Sequence, residues 1–265
     1  MHVHALICFS ARPGSGNPAL VIEGAARDGA ARQAFARARN TTCVFLDEDG
    51  DDGIAGVDFF YPHMRSPLCL HATLAVAAVL FARPGAPAAI AVETALKGQR
   101  LELVREAADY FVRLLPQPVP AVDIGPAQAA ALLGVPAAAL AGAPCVASVG
   151  SPKLLAEVAS PRALYALAPD LPAIAAWGRE SGINGIYAWC RRPDGSPDGS
   201  HEGRNFNHLD PALEDSATGV AAGALSVALG RDLVLRQGAA TGRDCLIRTR
   251  IDGRALLVGG AVERS

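Results

Sequence analysis

Two stretches of this chain are apolar on every side of any helix they could form. Residues 217–229 carry only the hydroxyls of Thr218 and Ser226 as polar side chains, and 71–82 are broken only by His71 and Thr73. A helix without a polar face has to be buried all round, so each stretch is expected at the centre of a core. Polar residues gather just before both. Glu214-Asp215-Ser216 precedes the second, where Asp215 or Ser216 can cap the first turn. Helix starts also offer unpaired N–H groups and the positive end of a dipole, a natural seat for an anion.

Around these helices the apolar runs are short, β-branched or aromatic, and bounded by turn residues. They predict strands at 3–9, 17–22, 42–46, 57–61, 88–93, 99–105 and 110–114. A second set is expected at 145–149, 153–158, 183–189, 233–236, 246–250 and 255–262. Asp28 caps a helix running to about Arg39, and shorter helices are expected at 128–133, from Ser160-Pro161, and from Asp170 to a stop at Gly178. The proline-rich 116–126 reads as a linker and the polar 191–203 as an exposed loop or lid.

The two halves share a pattern. At a shift of 145 (208 − 63), Tyr61 meets Phe206, His63 meets His208, Leu68 meets Leu213, Ala72-Thr73 meets Ala217-Thr218 and Leu80 meets Leu225, without a gap. The expected fold is α+β with two similar domains, 1–117 and 127–265. Each is an antiparallel sheet curled around its buried helix, the two related by a pseudo-twofold, and the last strand is free to cross back to the first half.

Composition narrows the function. Hydrophobic residues make up 51% and charged residues 19% of 265 positions, enough for two cores and against disorder. A net charge of −2 with no basic block argues against nucleic acid or an anionic membrane as partner. Cys8, Cys43, Cys69, Cys145, Cys190 and Cys245 form no C-x-x-C pair, so reduced thiols in a cytoplasmic protein are expected, with neither disulfide frame nor zinc site. Neither a secretory signal nor a membrane-spanning run is evident. Gly14, Gly16 and Ala19 fit a loose dinucleotide fingerprint, but Pro18 and the β-like run after it leave no helix to receive a pyrophosphate.

Taken together, Gly16-Asn17-Pro18, Pro67-Leu68-Cys69-Leu70-His71-Ala72-Thr73-Leu74-Ala75 and Glu214-Asp215-Ser216-Ala217-Thr218-Gly219 resemble the phenazine-biosynthesis isomerase (PhzF-like) family of the diaminopimelate-epimerase-like fold. Gln237-Gly238, Arg243 and Val258-Gly259-Gly260 fit its closing segment, so the resemblance covers nearly the whole chain. It implies an active site between two domains, no cofactor, no metal, a small carboxylate substrate and a homodimer. It places His71 and Asp215 on active-site positions, with Asn17, Thr42, Cys69, Leu70, Thr218 and Gly219 around the substrate.

Departures accompany the match. Thr42 stands where the family carries a catalytic Glu, Leu70 where Gly precedes the His, Val220 where Ser is common, and His208 where Pro is typical. A hydroxyl cannot act as a carboxylate base at neutral pH, so the dihydroanthranilate isomerisation that typifies the family is not expected here. Asp215 is the first choice for acid/base work, although it can also be simply a helix cap. His71 is its partner, because imidazole exchanges protons near neutral pH. His208 is an added ionisable group beside the Asp215 motif. Cys69 lies where epimerases of this fold carry a reactive thiol, and Glu214 is its repeat partner. Three readings follow: an acid/base isomerase, a racemase using Cys69, or a metabolite binder that has lost its base.

Overall fold

The computed structural model describes residues 1–48, 53–192, 201–207 and 214–265. The chain divides into two compact units, Met1–Leu114 with Gly259–Ser265, and Leu115–Val258.

The first unit contains β1 (His2–Cys8), β2 (Asn17–Glu23), α1 (Gly29–Arg39), β3 (Thr42–Asp47), β4 (Ala55–Phe60), β5 (Arg65–Ser66), α2 (Leu70–Phe81), β6 (Ala89–Thr94), β7 (Arg100–Glu106) and β8 (Asp109–Leu114). Asp28 caps α1 as predicted, accepting from the N–H groups of Ala30 and Ala31. Every residue of α2 but Ala78 is buried. It packs on β1, β2, β3, β7 and β8, as a helix without a polar face must.

The second unit contains α3 (Pro126–Leu132), β9 (Cys145–Ala147), β10 (Lys153–Glu157), α4 (Pro161–Tyr165), α5 (Leu171–Ser181), β11 (Ile186–Arg191), β12 (His201–Phe206), α6 (Gly219–Leu229), β13 (Leu233–Gln237), β14 (Cys245–Asp252) and the start of β15 (Ala255–Arg264). From Gly259 onward β15 belongs to the first unit, where Val262, Glu263 and Arg264 pair with Cys8, Ile7 and Leu6. Gly259 has to be a glycine, because a Cβ there would collide with the Tyr110 carbonyl. Helix α6 rests on β9, β10, β13 and β14, buried through Ser226 apart from Val220, while Ala228 reaches solvent.

The sheets are mixed and not antiparallel as expected. In the first unit β2 runs parallel to β3 and β4 parallel to β6; in the second, β10 runs parallel to β11 and β12 parallel to β13. The reason lies in the connections. Each parallel pair is joined through helix, by α1, by α2, by α4 with α5, and by α6, and parallel neighbours need such a crossover. The order of pairing is the same in both units: antiparallel, parallel, antiparallel, parallel, antiparallel, along β1-β2-β3-β4-β6-β7 and β9-β10-β11-β12-β13-β14.

Other expectations need correction. Gly178 is buried inside α5, and Gly182, at φ 73, ends that helix in the left-handed conformation. His201, Glu202 and Gly203 are buried strand residues of β12, not loop; 193–200 lie outside the described residues. The two apolar helices also fall out of step with the sequence repeat. At the shift of 145, Leu70 corresponds to residue 215, yet α6 begins at Gly219, four residues later.

Candidate functional site

The displaced start of α6 has a visible cause. Neither Asp215 nor Ser216 caps the helix; Thr218 occupies the cap position and its side chain makes no capping bond. Instead the Thr218 hydroxyl donates to Asp215 Oδ2 at 2.5 Å, and the Ala217 N–H donates to Asp215 Oδ1 at 3.4 Å. Gln237 on β13 then holds the turn from the other side. Its Nε2 donates to the Asp215 carbonyl at 2.7 Å and to Thr218 Oγ1 at 3.0 Å, while its Oε1 accepts from the Thr218 N–H at 3.2 Å. The backbone groups that would begin a helical turn are therefore spent on side chains.

The turn sits over one face of the sheet. Leu155, Tyr187 and Asn205 lie side by side across β10, β11 and β12. Alternation along the strands puts Lys153 and Gly203 on the same face. A Cβ on Gly203 would strike the Tyr187 hydroxyl, which instead reaches across to Gln237 Oε1 at 3.1 Å. The opposite face carries Leu154, Ile186 and Phe206 in the core with Ala129, Leu132, Leu164 and Ile174 of α3, α4 and α5. Strand β12 thus turns Phe206 into the apolar core and buries the polar Asn205 on its other side. Asn205 is fully buried (0% exposed), and neither its Oδ1 nor its Nδ2 finds a partner among the described residues. A backbone bridge ties Asn205 to Asp215.

Electrostatics follow from the crowding. Burial pushes the Asp215 carboxyl above its usual value, offset in part by Thr218, the Ala217 N–H, Lys153 and the Ser216 N–H. Asp215 nevertheless keeps part of its surface open. Burial lowers Lys153 to about 7, with Asp215 opposing the shift. Burial and then Asp215 raise Tyr187 well above its ordinary value, so it remains a neutral donor.

In the first unit, Cys69 occupies the cap position of α2 without a side-chain capping bond. Its Sγ lies 3.3 Å from His71 Nδ1, close enough for thiol and imidazole to share a proton. Cys69, Leu70 and His71 are all buried, and Thr73 closes the first turn by donating its hydroxyl to the Cys69 carbonyl at 2.8 Å. Asn17 and Thr42 open the adjacent parallel strands β2 and β3, both partly exposed.

Of the residues singled out by sequence, the structure brings together Cys69, Leu70 and His71 at the start of α2, and Asp215, Thr218 and Gly219 at the start of α6. His208 lies outside the described residues, while His63 is exposed and stacks on Tyr61. Glu214 is not a free base: Arg204 grips both its oxygens, at 3.0 Å from Nε and 2.8 Å from Nη2. Lys153, Tyr187, Asn205 and Gln237 were not expected at the site. One signal was available, since Lys153 precedes the apolar run Leu154-Leu155-Ala156 in a chain with only one other lysine, Lys97. Among the described residues no three His, Cys, Asp or Glu side chains cluster as metal ligands would, and no helix is long and apolar enough to cross a membrane.

The sequence model of the family described as "Phenazine biosynthesis-like protein" matches residues 6–263. The chain belongs to that family. Among curated proteins it is 27% identical over 270 residues to "Uncharacterized isomerase YddE" of Escherichia coli O157:H7, covering 94% of this chain and 89% of that one. Among solved structures it resembles "a Predicted Epimerase PA4716" from Pseudomonas aeruginosa, with TM-score 0.78 and 25% identity over 99% of this chain and 96% of the other. A PhzF-family phenazine biosynthesis protein of Bacillus anthracis shares the fold, with TM-score 0.79 and 18% identity over 100% and 97% of the two chains. Family members thus match this chain along essentially its whole length.

Proposed function

We propose that this protein is an isomerase of the phenazine biosynthesis-like family that moves a proton on a small amino- or hydroxy-substituted carboxylate, without a cofactor. Asp215 is the proton carrier and His71 its partner. The N–H groups at the start of α6, near Gly219, hold the substrate carboxylate, and Leu70 at the start of α2 is a further binding position. Asn17 and Thr42 line the same site, Thr42 binding by its hydroxyl where the family uses a glutamate. The two units are read as copies of one fold, and the working form as a cytoplasmic homodimer.

The observation that carries this reading is the setting of Asp215. A carboxylate fixed by Thr218 and Ala217, raised in basicity by burial and still partly open, suits proton transfer. The orphaned carboxamide of Asn205 beside it supports a polar ligand, because a buried amide without partners costs free energy until something bonds it.

The test is solvent-deuterium incorporation into a panel of small amino- and hydroxy-carboxylates. Label is expected at the carbon next to the carboxylate in at least one of them, and Asp215→Asn and His71→Ala are each expected to abolish it. Incorporation that survives both changes would overturn the assignment. A second reading rests on the Cys69–His71 pair, whose 3.3 Å separation suits a thiolate base of a racemase. Alkylation of Cys69 that stops exchange, with Asp215→Asn still active, would establish that reading instead.

A further inference from the structure

Gln237 of β13 is 2% exposed, and every hydrogen-bonding position of its carboxamide is used. Nε2 donates to the Asp215 carbonyl at 2.7 Å and to Thr218 Oγ1 at 3.0 Å. Oε1 accepts from the Thr218 N–H at 3.2 Å and from the Tyr187 hydroxyl at 3.1 Å. A carboxamide has no more donors or acceptors to offer. Its orientation is forced as well. A backbone carbonyl only accepts and a backbone N–H only donates, so the nitrogen faces the Asp215 carbonyl and the oxygen faces the Thr218 N–H. Thr218 inherits this order. Because its Oγ1 receives the Gln237 N–H, the hydroxyl directs its own proton to Asp215 Oδ2 at 2.5 Å. That length belongs to a charge-assisted bond from a hydroxyl to a carboxylate.

We propose that Gln237 and Thr218 are positioning residues that fix which oxygen of Asp215 carries the proton, holding Oδ2 as an acceptor and leaving Oδ1 to take it up. The inference deepens the catalytic role given to Asp215 above and rests on it for its consequence in turnover. In a neutral carboxyl group the carbonyl oxygen is the better acceptor and the hydroxyl oxygen the weaker. A proton on Oδ2 would therefore weaken the bond from Thr218, whose hydroxyl cannot turn away because the Gln237 N–H occupies its other side. A proton on Oδ1 leaves that bond in place, and the Ala217 N–H reaches Oδ1 only at 3.4 Å. Asp215 then gives and takes its proton through one defined oxygen, as an oriented transfer to carbon requires. Lys153 of β10, Tyr187 of β11 and Cys245 of β14 interact with Asp215 through space. Glu214 beside it is gripped by Arg204, Cys145 of β9 is raised by burial, and α6 presents no ionisable side chain. Gln237 and Thr218 do not titrate, so replacing them leaves all these charges as they were.

In the full chain, the titration midpoint of Asp215 is read from its ¹³C carboxyl signal, assigned with Asp215→Asn. Thr218→Val removes a bond that favours the charged carboxylate, so Asp215 should bind its proton roughly tenfold more tightly and its midpoint should rise. Thr218→Ser keeps the hydroxyl and should restore the wild-type midpoint. Gln237→Leu should raise the midpoint by less, and should add nothing once Thr218 is valine, because Gln237 acts through that hydroxyl. An unchanged midpoint in either single variant, or a further rise in the double one, overturns the proposal. Should the variants not fold, the wild type decides. With threonine ¹³C-labelled, the Thr218 hydroxyl proton is expected as a slowly exchanging signal that persists on both sides of the Asp215 midpoint. Its loss as the carboxylate takes up a proton would put that proton on Oδ2 and refute the assignment. The pH profile of deuterium exchange should follow the midpoint in each variant. Exchange that survives in Asp215→Asn would defeat the catalytic reading while leaving the measured midpoints intact.

Discussion

The two units run their strands in the same pairing order, yet fill the face beneath their apolar helices in opposite ways. In the first, Val21, Val44 and Phe59 stand side by side across β2, β3 and β4, all buried. On the strands at the same steps of the second unit's pairing order stand Leu155, Tyr187 and Asn205, buried as completely. One pairing order thus supports an apolar interior in one unit and a polar interior in the other. At α2 the first unit's polar side chains are those of the cap and first turn, Cys69, His71 and Thr73, while its buried Arg32 pairs with Asp58 at 3.2 Å. The second organises a whole sheet face around Asp215. A polar interior is costly unless its groups are bonded, and this cost is the reason the proposed chemistry is assigned to the second unit.

Exchanging the two fillings should break the symmetry of cost. Phe59→Asn would place an unpaired amide in the dry copy and remove a buried aromatic ring, a loss of about 3–5 kcal/mol in urea unfolding. Gln237→Leu strikes the polar copy at its most connected point, stranding the Thr218 N–H, the Asp215 carbonyl and the Tyr187 hydroxyl. A loss of about 1–3 kcal/mol is expected, together with an altered pH profile of exchange. Asn205→Leu is the mildest, because it removes an amide that already lacks partners. Its stability should stay within about 1 kcal/mol of wild type or rise, while affinity for the substrate falls. A marked destabilisation would show that Asn205 is already bonded within the protein.

The contrast between the copies also explains what could be read from the chain. The run 71–82 announced its own burial, since no helix face was left for water, and α2 proved to be that helix within a residue at each end. Asp28 was legible as a cap for the same local reason. The parallel pairs were not, because strand neighbours are chosen by connections through α1, α2, α4, α5 and α6, and a strand's own residues do not name its partner. Strand β12, reading His-Glu-Gly-Arg-Asn-Phe, looked like the end of a solvated loop. Its polarity belongs to the interior, where Asn205 faces Tyr187 and Arg204 grips Glu214. Asp215 was identified by its motif, but its turn depends on Gln237, 22 residues away, and on a sheet face whose alternation becomes visible only after the strands pair.

The central claim is that proton transfer depends on the polar copy, and a side-by-side exchange experiment tests it most directly. Wild type, Asp215→Asn and Cys69→Ser would be incubated in deuterated buffer with whichever carboxylate of the panel takes up label, and the initial rates compared. Loss of a positioned acid/base group is worth roughly 10²–10⁴ in rate. The account predicts a fall of that size in Asp215→Asn and a far smaller one in Cys69→Ser. The reverse order, with Asp215→Asn near wild type and Cys69→Ser inactive, would place the chemistry at the start of α2 and contradict it.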